Sequence, residues 1–209
     1  MQRHLPALGQ IERLDYYYLN TMNPLVPLTT ETHDVILDLV YATSNNIAGR
    51  PIYERNLCLL HRDAELCLRK AVQLAGKAGC KLKIFDAFRP HEAQVELWET
   101  AVDKLYVADP QLGSNHTRGT AIDLTLVDAN GNELDMGTEF DHMTALSHHF
   151  SNQVSPRAQA NRTLLLTIME QAGFQHLPHE WWHYELPMQD DHRLIESAHL
   201  GNLNPMRGT

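Results

Sequence analysis

The sequence predicts an α+β fold, built as a single domain with a mostly antiparallel sheet flanked by helices. Short segments in which apolar and polar residues alternate are typical of strands, and longer segments with apolar residues at helical spacing are typical of amphipathic helices. The strands and helices predicted from these segments do not alternate strictly, as they would in a parallel βαβ sheet. The length of 209 residues fits one domain with a substantial hydrophobic core.

The first half of the chain is interpreted from its periodicity and its breaker residues. Its predicted elements are an N-terminal arm (1–33), a strand (34–41), a helix (63–78), a strand (82–87) and a helix (90 to about 108). Asp63 is a suitable N-cap for the first helix, and Gly79 is suitable for the position just after its end. Pro90 suits the first turn of the second helix, because its missing N–H would be unpaired there in any case.

The second half contains the clearest strand, in which Ile122 and Asp123 belong to opposite faces. Its predicted elements are a polar loop (113–119), a strand (120–127), a turn (130–131), a helix (161–172), a strand (181–186) and a C-terminal tail (189–209). Gly173 ends the helix. The domain itself is predicted to span residues 34–188.

Composition excludes some classes of function. The formal net charge of −9 argues against nucleic acid as the main partner. No apolar run approaches the ~18 residues of a membrane span, and the N-terminus lacks an apolar run of signal-peptide length. We expect a cytoplasmic protein, or a periplasmic one if a leader has been trimmed. Cys58, Cys67 and Cys80 are interpreted as free thiols; whether chains form a homo-oligomer stays open.

Asp123 is the first residue that indicates chemistry. It lies between Ile122 and Leu124, and a carboxylate in an apolar strand is costly to bury without compensation. It either faces solvent or belongs to a site. His116, seven residues before Asp123, favours a site. A fully extended segment of that length would span ~23 Å. Two ligands of one zinc ion, with bonds of ~2 Å, lie only a few ångströms apart. The chain must therefore double back, which Gly119 permits.

Residues 179–183, His-Glu-Trp-Trp-His, match the H-E-x-x-H motif of helical zinc peptidases. In that motif both histidines bind zinc from one helix face, and the glutamate is the base. Here a proline stands on either side of the segment, and its aromatic residues favour a strand. We therefore interpret Glu180 and His183 as functional residues and His179 as an incidental neighbour.

A family resemblance joins these two pieces. The S-x-H-x-x-G-x-A-x-D run at 114–123, followed about sixty residues later by E-x-x-H at 180–183, resembles the zinc D-Ala-D-Ala peptidase family. Flanking segments are most similar to its D-alanyl-D-alanine dipeptidases, known from vancomycin resistance; these segments are 41–43, 85–90, 121–126, 147–149 and 180–184. The resemblance covers roughly residues 34–188 and implies a fold like that of Hedgehog and D,D-peptidase domains.

The resemblance also implies a metal site and a mechanism. The implied ligands of one zinc ion per chain are His116, Asp123 and His183, with water in the open fourth position. Glu180 would take a proton from that water and pass it to the leaving amine. Arg89 would stabilise the oxyanion of the tetrahedral intermediate. Without the resemblance, the ordinary interpretation of Arg89 is a salt bridge with Asp86 or Glu92.

A dipeptidase must also recognise both charged ends of its substrate. Ser114 is a candidate for the substrate carboxylate, and Tyr41 and Asp141 are candidates for the ammonium group. The alternatives are a loop hydroxyl, a packed aromatic ring and a surface carboxylate. A further group of histidines, interpreted as structural rather than as a second metal site, comprises His142, His148 and His149.

The function implied is hydrolysis of the dipeptide D-Ala-D-Ala to two D-alanines. One alternative is a zinc D,D-carboxypeptidase or murein endopeptidase that acts on longer cell-wall peptides. A different alternative is a non-catalytic zinc-binding module, against which the presence of Glu180 and Arg89 argues. Antibiotic resistance, cell-wall recycling and nutrient use would all employ this chemistry, and the sequence does not choose among them.

Overall fold

The structure is a computed structural model that describes residues 23–187 and 192–207. The strands are β1 (Leu25–Leu28), β2 (Ile36–Leu37), β3 (Cys58–His61), β4 (Lys81–Asp86), β5 (Ala121–Val127), β6 (Gln175–Leu177) and β7 (Glu180–Glu185). The α-helices are α1 (Thr30–His33), α2 (Arg62–Lys77), α3 (His91–Thr100) and α4 (Pro156–Ala172). Most of the predicted N-terminal arm (1–22) and parts of the predicted tail (189–191 and 208–209) lie outside the described residues.

The main sheet has five strands in the order β2-β4-β5-β7-β6. Strand β2 pairs with β4 in parallel, and every other neighbouring pair in this sheet is antiparallel. Strands β1 and β3 form a separate antiparallel ribbon. Helices and strands therefore combine in a single domain with a mostly antiparallel main sheet, and the predicted α+β class is confirmed.

The main hydrophobic core lies between the sheet and the helices α2 and α4, which pack against each other. Leu68 of α2 and Leu165 of α4 are fully buried there, together with Ile122 of β5. All seven residues of β5 are buried, on both faces of the sheet. The alternative in which Asp123 faces solvent is therefore wrong, and its carboxylate needs partners within the protein.

The strand predicted at 34–41 is wrong in its second half. Only Ile36–Leu37 pairs as a strand, and a 3₁₀ helix follows at Val40–Ala42. The turn occurs because the carbonyl of Tyr41 accepts backbone N–H groups from Ile52 and Tyr53, at 2.8 and 2.9 Å. That pairing fixes Tyr41 in a buried position, where it reaches the cavity described below.

The N-cap predicted for the first long helix is also wrong. Helix α2 begins one residue earlier than expected, and the cap is His61, whose Nδ1 accepts the backbone N–H of Asp63 at 3.2 Å. At the other end, Gly79 adopts the positive φ of +73° that the prediction required.

Two helices differ in length from their predictions. Helix α3 ends at Thr100 rather than near residue 108, because the Asp103 side chain accepts the N–H of Leu105 and starts a separate 3₁₀ turn. Helix α4 begins at Pro156 rather than at 161, because Ser155 caps it. The last predicted strand is confirmed as β7. None of the helices in the described residues has the length and apolar character that a membrane span requires.

Gly119 provides the turn that the metal motif requires, and it offers a test of the fold. Its φ is +70°, and an added Cβ would lie 2.6 Å from Leu25 Cδ2 and 3.1 Å from the His61 backbone nitrogen. We expect Gly119→Ala to lower the free energy of unfolding by about 2–4 kcal/mol, from backbone strain plus overpacking.

Gly131→Ala is the matched control, measured in the same denaturant titration. Gly131 has a φ of +84°, but nothing lies within 4 Å of its added Cβ. It therefore measures the backbone strain alone, about 1–2 kcal/mol. Equal losses in the two variants would contradict the close approach of β1 and His61 to the loop.

Candidate active site

The side chains of His116, Asp123 and His183 converge at one buried point. Strands β5 and β7 place Asp123 and His183 directly opposite each other as paired residues, which brings their side chains close on one face of the sheet. His116 arrives from the loop before β5. The Gly119 N–H donates to the His116 carbonyl at 2.9 Å, so the chain doubles back within four residues.

The three donor atoms are spaced as the ligands of one metal ion are. His116 Nε2 and His183 Nδ1 lie 3.1 Å apart, and each lies close to a different Asp123 oxygen, at 3.3 and 3.1 Å respectively. Ligands around a tetrahedral zinc ion, with bonds of ~2.0–2.1 Å, lie about 3.3 Å from one another. The donor set therefore fits zinc in both chemistry and spacing.

The outer hydrogen bonds of the two imidazoles fix which nitrogen carries a proton. His116 Nδ1 donates to the Ala87 carbonyl at 2.7 Å, since a carbonyl can only accept. His183 Nε2 donates to the Glu185 carboxylate at 3.0 Å. In the neutral rings the remaining nitrogens, which face the cluster, therefore present lone pairs. Partners of this kind are the ones that orient metal-binding histidines.

Electrostatics at the cluster also favour a positive charge. Burial alone would raise the pKa of the Asp123 carboxyl, but the adjacent His116 and His183 hold that pKa well below its usual range. Burial alone would lower the pKa of His183, yet its bonds to Asp123 and Glu185 raise the pKa to about 10. The carboxylates around the cluster therefore favour a positive charge at this point, which a metal cation would also provide.

Glu180 lies beside this cluster, with its Oε2 4.0 Å from His183 Nδ1. A regular strand would place residues 180 and 183 on opposite faces. The pairing of β6 with β7 shifts register here, since His176 pairs with Tyr184 but Leu177 pairs with Glu180. Glu180 and His183 consequently line the same cavity. Periodicity alone could not have revealed this irregularity.

Burial gives the Glu180 carboxyl the properties of a proton carrier. It raises the pKa of Glu180 to about 8, even though His183 acts in the opposite direction. A carboxyl group whose pKa lies near neutrality can both accept and release a proton during a reaction.

Arg89 is held at the site by a network of buried partners. Its Nε donates to Asp86 Oδ2 at 2.9 Å, and its two terminal nitrogens donate to Gln94 at 3.0 Å and to Asp123 at 3.4 Å. The guanidinium also lies over the Tyr41 ring, 5.0 Å from its centre. The salt bridge between Arg89 and Asp86 therefore exists, and it also orients the guanidinium beside Asp123, a candidate metal ligand. Glu92 instead accepts from Ser197.

Three partners of this network were not singled out in the sequence as site residues. Asp86 accepts the Tyr53 hydroxyl at 2.7 Å on one oxygen and Arg89 on the other. Gln94 in turn donates to the Ala108 carbonyl at 2.7 Å. The Asp-x-x-Arg spacing was the available signal for Asp86, whereas nothing in the local sequence indicates Tyr53 or Gln94.

The substrate-binding candidates all line the same cavity. The Tyr41 hydroxyl donates to the Asp141 carboxylate at 3.0 Å. Burial, reinforced by Asp123, raises the pKa of Asp141 to about 7. Asp141 also has a φ of +59°, a strained conformation for a residue with a side chain. Ser114 is buried, and its Oγ accepts the His116 backbone N–H at 3.2 Å.

The cavity has a volume of about 620 Å³, within the range of small-molecule sites. Most of the charged residues described above line it. Its other lining residues include Trp98, Leu105, Tyr106, Leu112, Met143 and Trp182. The cavity therefore combines titratable groups with apolar and aromatic side chains.

The remaining histidines of the sequence analysis lie outside this ligand group. His179 packs against His148, with ring centres 4.9 Å apart. His148 Nε2 contacts the Tyr106 hydroxyl at 3.1 Å, and His149 Nε2 contacts the Tyr184 hydroxyl at 3.0 Å. In the part of the chain that the structure describes, neither these residues nor His142 belong to a three-member ligand group.

Comparison with known proteins places these residues in a family context. The family model described as D-ala-D-ala dipeptidase, of peptidase family M15, matches residues 21–200. The D-alanyl-D-alanine dipeptidase of Escherichia coli K12 is 47% identical over 171 residues, which cover 82% of this chain and 89% of that protein. The protein of the same name from Enterococcus faecium is 36% identical over 178 residues, covering 74% and 87%.

The two histidines of the H-E-x-x-H segment should behave differently towards metal. We expect His183→Ala to lower the bound zinc per chain severely, because it removes a converging donor, and His179→Ala to leave the zinc content nearly unchanged. Metal analysis after dialysis measures both, and the two substitutions are matched in size and type. Equal losses would instead support the helical motif, with both histidines as ligands.

Proposed function

The chain belongs to the D-Ala-D-Ala dipeptidase family of peptidases, and from this premise we propose that it hydrolyses D-Ala-D-Ala to two D-alanines with one zinc ion per chain. The observation that carries the proposal is the convergence of His116, Asp123 and His183 beside Glu180, in a cavity of small-molecule size. The relatives' names support the substrate.

The metal and the side chains have separate tasks in this proposal. When bound, zinc acts as a Lewis acid and increases the acidity of water at neutral pH. Glu180 accepts the proton of the attacking water, since its carboxyl lines the cavity beside the ligand group, 4.0 Å from His183 Nδ1. The same group then delivers that proton to the nitrogen of the leaving D-alanine.

Arg89 stabilises the negative charge that develops on the carbonyl oxygen. Its guanidinium is fixed by Asp86, Gln94 and Asp123, so it does not need to reorganise during the reaction. Three N–H groups are used in these bonds, and a guanidinium has further donors that can point to the substrate. A lysine at this position would provide charge without the fork that holds this orientation.

The two ends of the dipeptide are recognised by the remaining polar residues of the cavity. Asp141 and the Tyr41 hydroxyl receive the ammonium group, whose positive charge favours the ionised form of Asp141. Ser114 donates its hydroxyl to the substrate carboxylate. A site that binds both charged ends selects a short zwitterion over a long peptide. A long peptide lacks one of the two charged ends at this spacing, so the protein group that binds that end would be buried without a partner.

The substrate preference is tested directly with zinc-loaded protein. We expect release of D-alanine from D-Ala-D-Ala and little release from a longer peptide that ends in D-Ala-D-Ala, measured with a D-amino-acid oxidase assay. Cleavage of the longer peptide but not of the dipeptide would instead indicate a D,D-carboxypeptidase. No cleavage of either by fully loaded protein would indicate a non-catalytic zinc-binding module.

The role of Glu180 is tested by a matched pair of substitutions. We expect Glu180→Gln to retain zinc and to lower kcat by about 10²–10⁴-fold, since it removes the proton carrier. Glu185→Gln makes the same change beside the same histidine, at a group that contacts His183 Nε2. It should weaken zinc binding by about 10–100-fold, with turnover recovered at high zinc. Normal turnover in Glu180→Gln would eliminate the general-base assignment.

A further inference from the structure

Gln94 connects the guanidinium of Arg89 to another part of the cavity wall. It lies in α3, is 1% exposed and does not itself line the cavity. Its Oε1 accepts Arg89 Nη1 at 3.0 Å, and its Nε2 donates to the Ala108 carbonyl at 2.7 Å. Both Arg89 and Ala108 line the cavity. Gln94 therefore influences a bound molecule only through these neighbours.

The chemistry of the two partners fixes the orientation of the Gln94 amide. An arginine nitrogen can only donate and a backbone carbonyl can only accept, so the amide oxygen must face Arg89 and the amide nitrogen must face Ala108. Exchanging the two amide atoms would break both hydrogen bonds, in a buried place where unpaired polar groups are costly. The side chain therefore holds Arg89 Nη1 in one direction.

Gln94 is also the neutral partner among the three that hold Arg89. The guanidinium donates one nitrogen each to Gln94, Asp86 and Asp123. The two carboxylates orient the guanidinium, but they also offset its positive charge. An amide oxygen accepts an N–H without adding a negative charge. Gln94 therefore helps to orient Arg89 while preserving the charge that would stabilise an oxyanion.

The other end of Gln94 contacts a segment that forms much of the cavity wall. This wall segment comprises residues 104–114, of which 104–109 and 112–114 line the cavity. Ala108 lies in its middle, and Ser114, the candidate for the substrate carboxylate, is its last residue. The bond from Gln94 to Ala108 thus links the position of the wall segment to the direction of Arg89.

We propose that Gln94 is a positioning residue, which directs Arg89 towards the developing oxyanion without lowering its charge and ties that direction to the wall segment. This role rests on the proposed function, because it concerns the oxyanion of peptide hydrolysis. The negative charge is present in the transition state and not in the substrate. Gln94 therefore contributes to the rate of the reaction rather than to substrate binding.

Two substitutions of Gln94 test this role. Gln94→Met removes both hydrogen bonds and keeps the length of the side chain. We expect it to lower kcat for D-Ala-D-Ala by about 10–100-fold, with KM and zinc content nearly unchanged. Gln94→Glu should also lower kcat, because an ionised glutamate offsets the charge of Arg89 and cannot donate to the Ala108 carbonyl. Full kcat in both variants would overturn the proposal.

A double-mutant cycle shows whether Gln94 acts through Arg89. In an Arg89→Gln background, Gln94→Met should have little further effect on kcat, whereas equal losses in both backgrounds would overturn the proposal. Gln159→Met is the matched control. Gln159 likewise donates from a helix to a loop carbonyl, that of His149 at 3.0 Å, but neither residue lines the cavity. Gln159→Met should leave kcat unchanged.

Binding of a transition-state analogue provides a measurement that needs no turnover. A phosphinate analogue of D-Ala-D-Ala carries a negatively charged tetrahedral centre in place of the scissile bond, so it resembles the state in which Arg89 is used. Calorimetric titration of zinc-loaded protein should show that Gln94→Met weakens phosphinate binding by about 10–100-fold. Gln159→Met should bind the phosphinate as the unaltered protein does.

The outcomes separate this proposal from the proposed function. If the unaltered protein releases no D-alanine but Gln94→Met weakens phosphinate binding, the positioning role stands and the proposed reaction fails. If D-alanine is released and Gln94→Met changes neither kcat nor phosphinate binding, the reaction stands and the positioning role fails. Absence of phosphinate binding by the unaltered zinc-loaded protein would overturn the positioning role as well.

Discussion

Two imidazole nitrogens and a carboxylate meet within 3.3 Å of one another in the interior of the protein, and this convergence determines the chemistry of the site. So many acceptors can share a buried space only around positive charge. Asp123 and Glu185 raise the pKa of His183, which favours a positive charge at this point. In the proposed function, a zinc ion bound by the same donors would supply it.

The surrounding fold positions each donor by a separate physical device. The antiparallel register of β5 and β7 pairs Asp123 with His183. The positive φ of Gly119 turns the loop so that His116 reaches the same point. The Ala87 carbonyl and Glu185 then select the tautomers of the two rings. Because these devices come from several elements, the site depends on the assembly of β5, β7 and the loops beside them.

Sequence patterns predicted the features that depend on local chemistry. The strands around Asp123 and His183, and the exclusion of the helical H-E-x-x-H interpretation, followed from alternation and from flanking prolines. Patterns failed where distant residues decide the conformation. The backbone of Tyr41 is set by contacts with residues 52 and 53, and Glu180 reaches the cavity through a shift in the pairing of β6 with β7. No periodicity within a single segment contains that information.

The central claim is that one ion is held by nitrogens of defined identity. Anomalous diffraction at the zinc absorption edge, on crystals of the zinc-loaded protein, tests it most directly. We expect a peak within bonding distance of His116 Nε2, His183 Nδ1 and an Asp123 oxygen, with Glu180 adjacent but outside bonding distance. A peak coordinated by His179, or the absence of zinc between His116 and His183 in fully loaded crystals, would rule out this metal site.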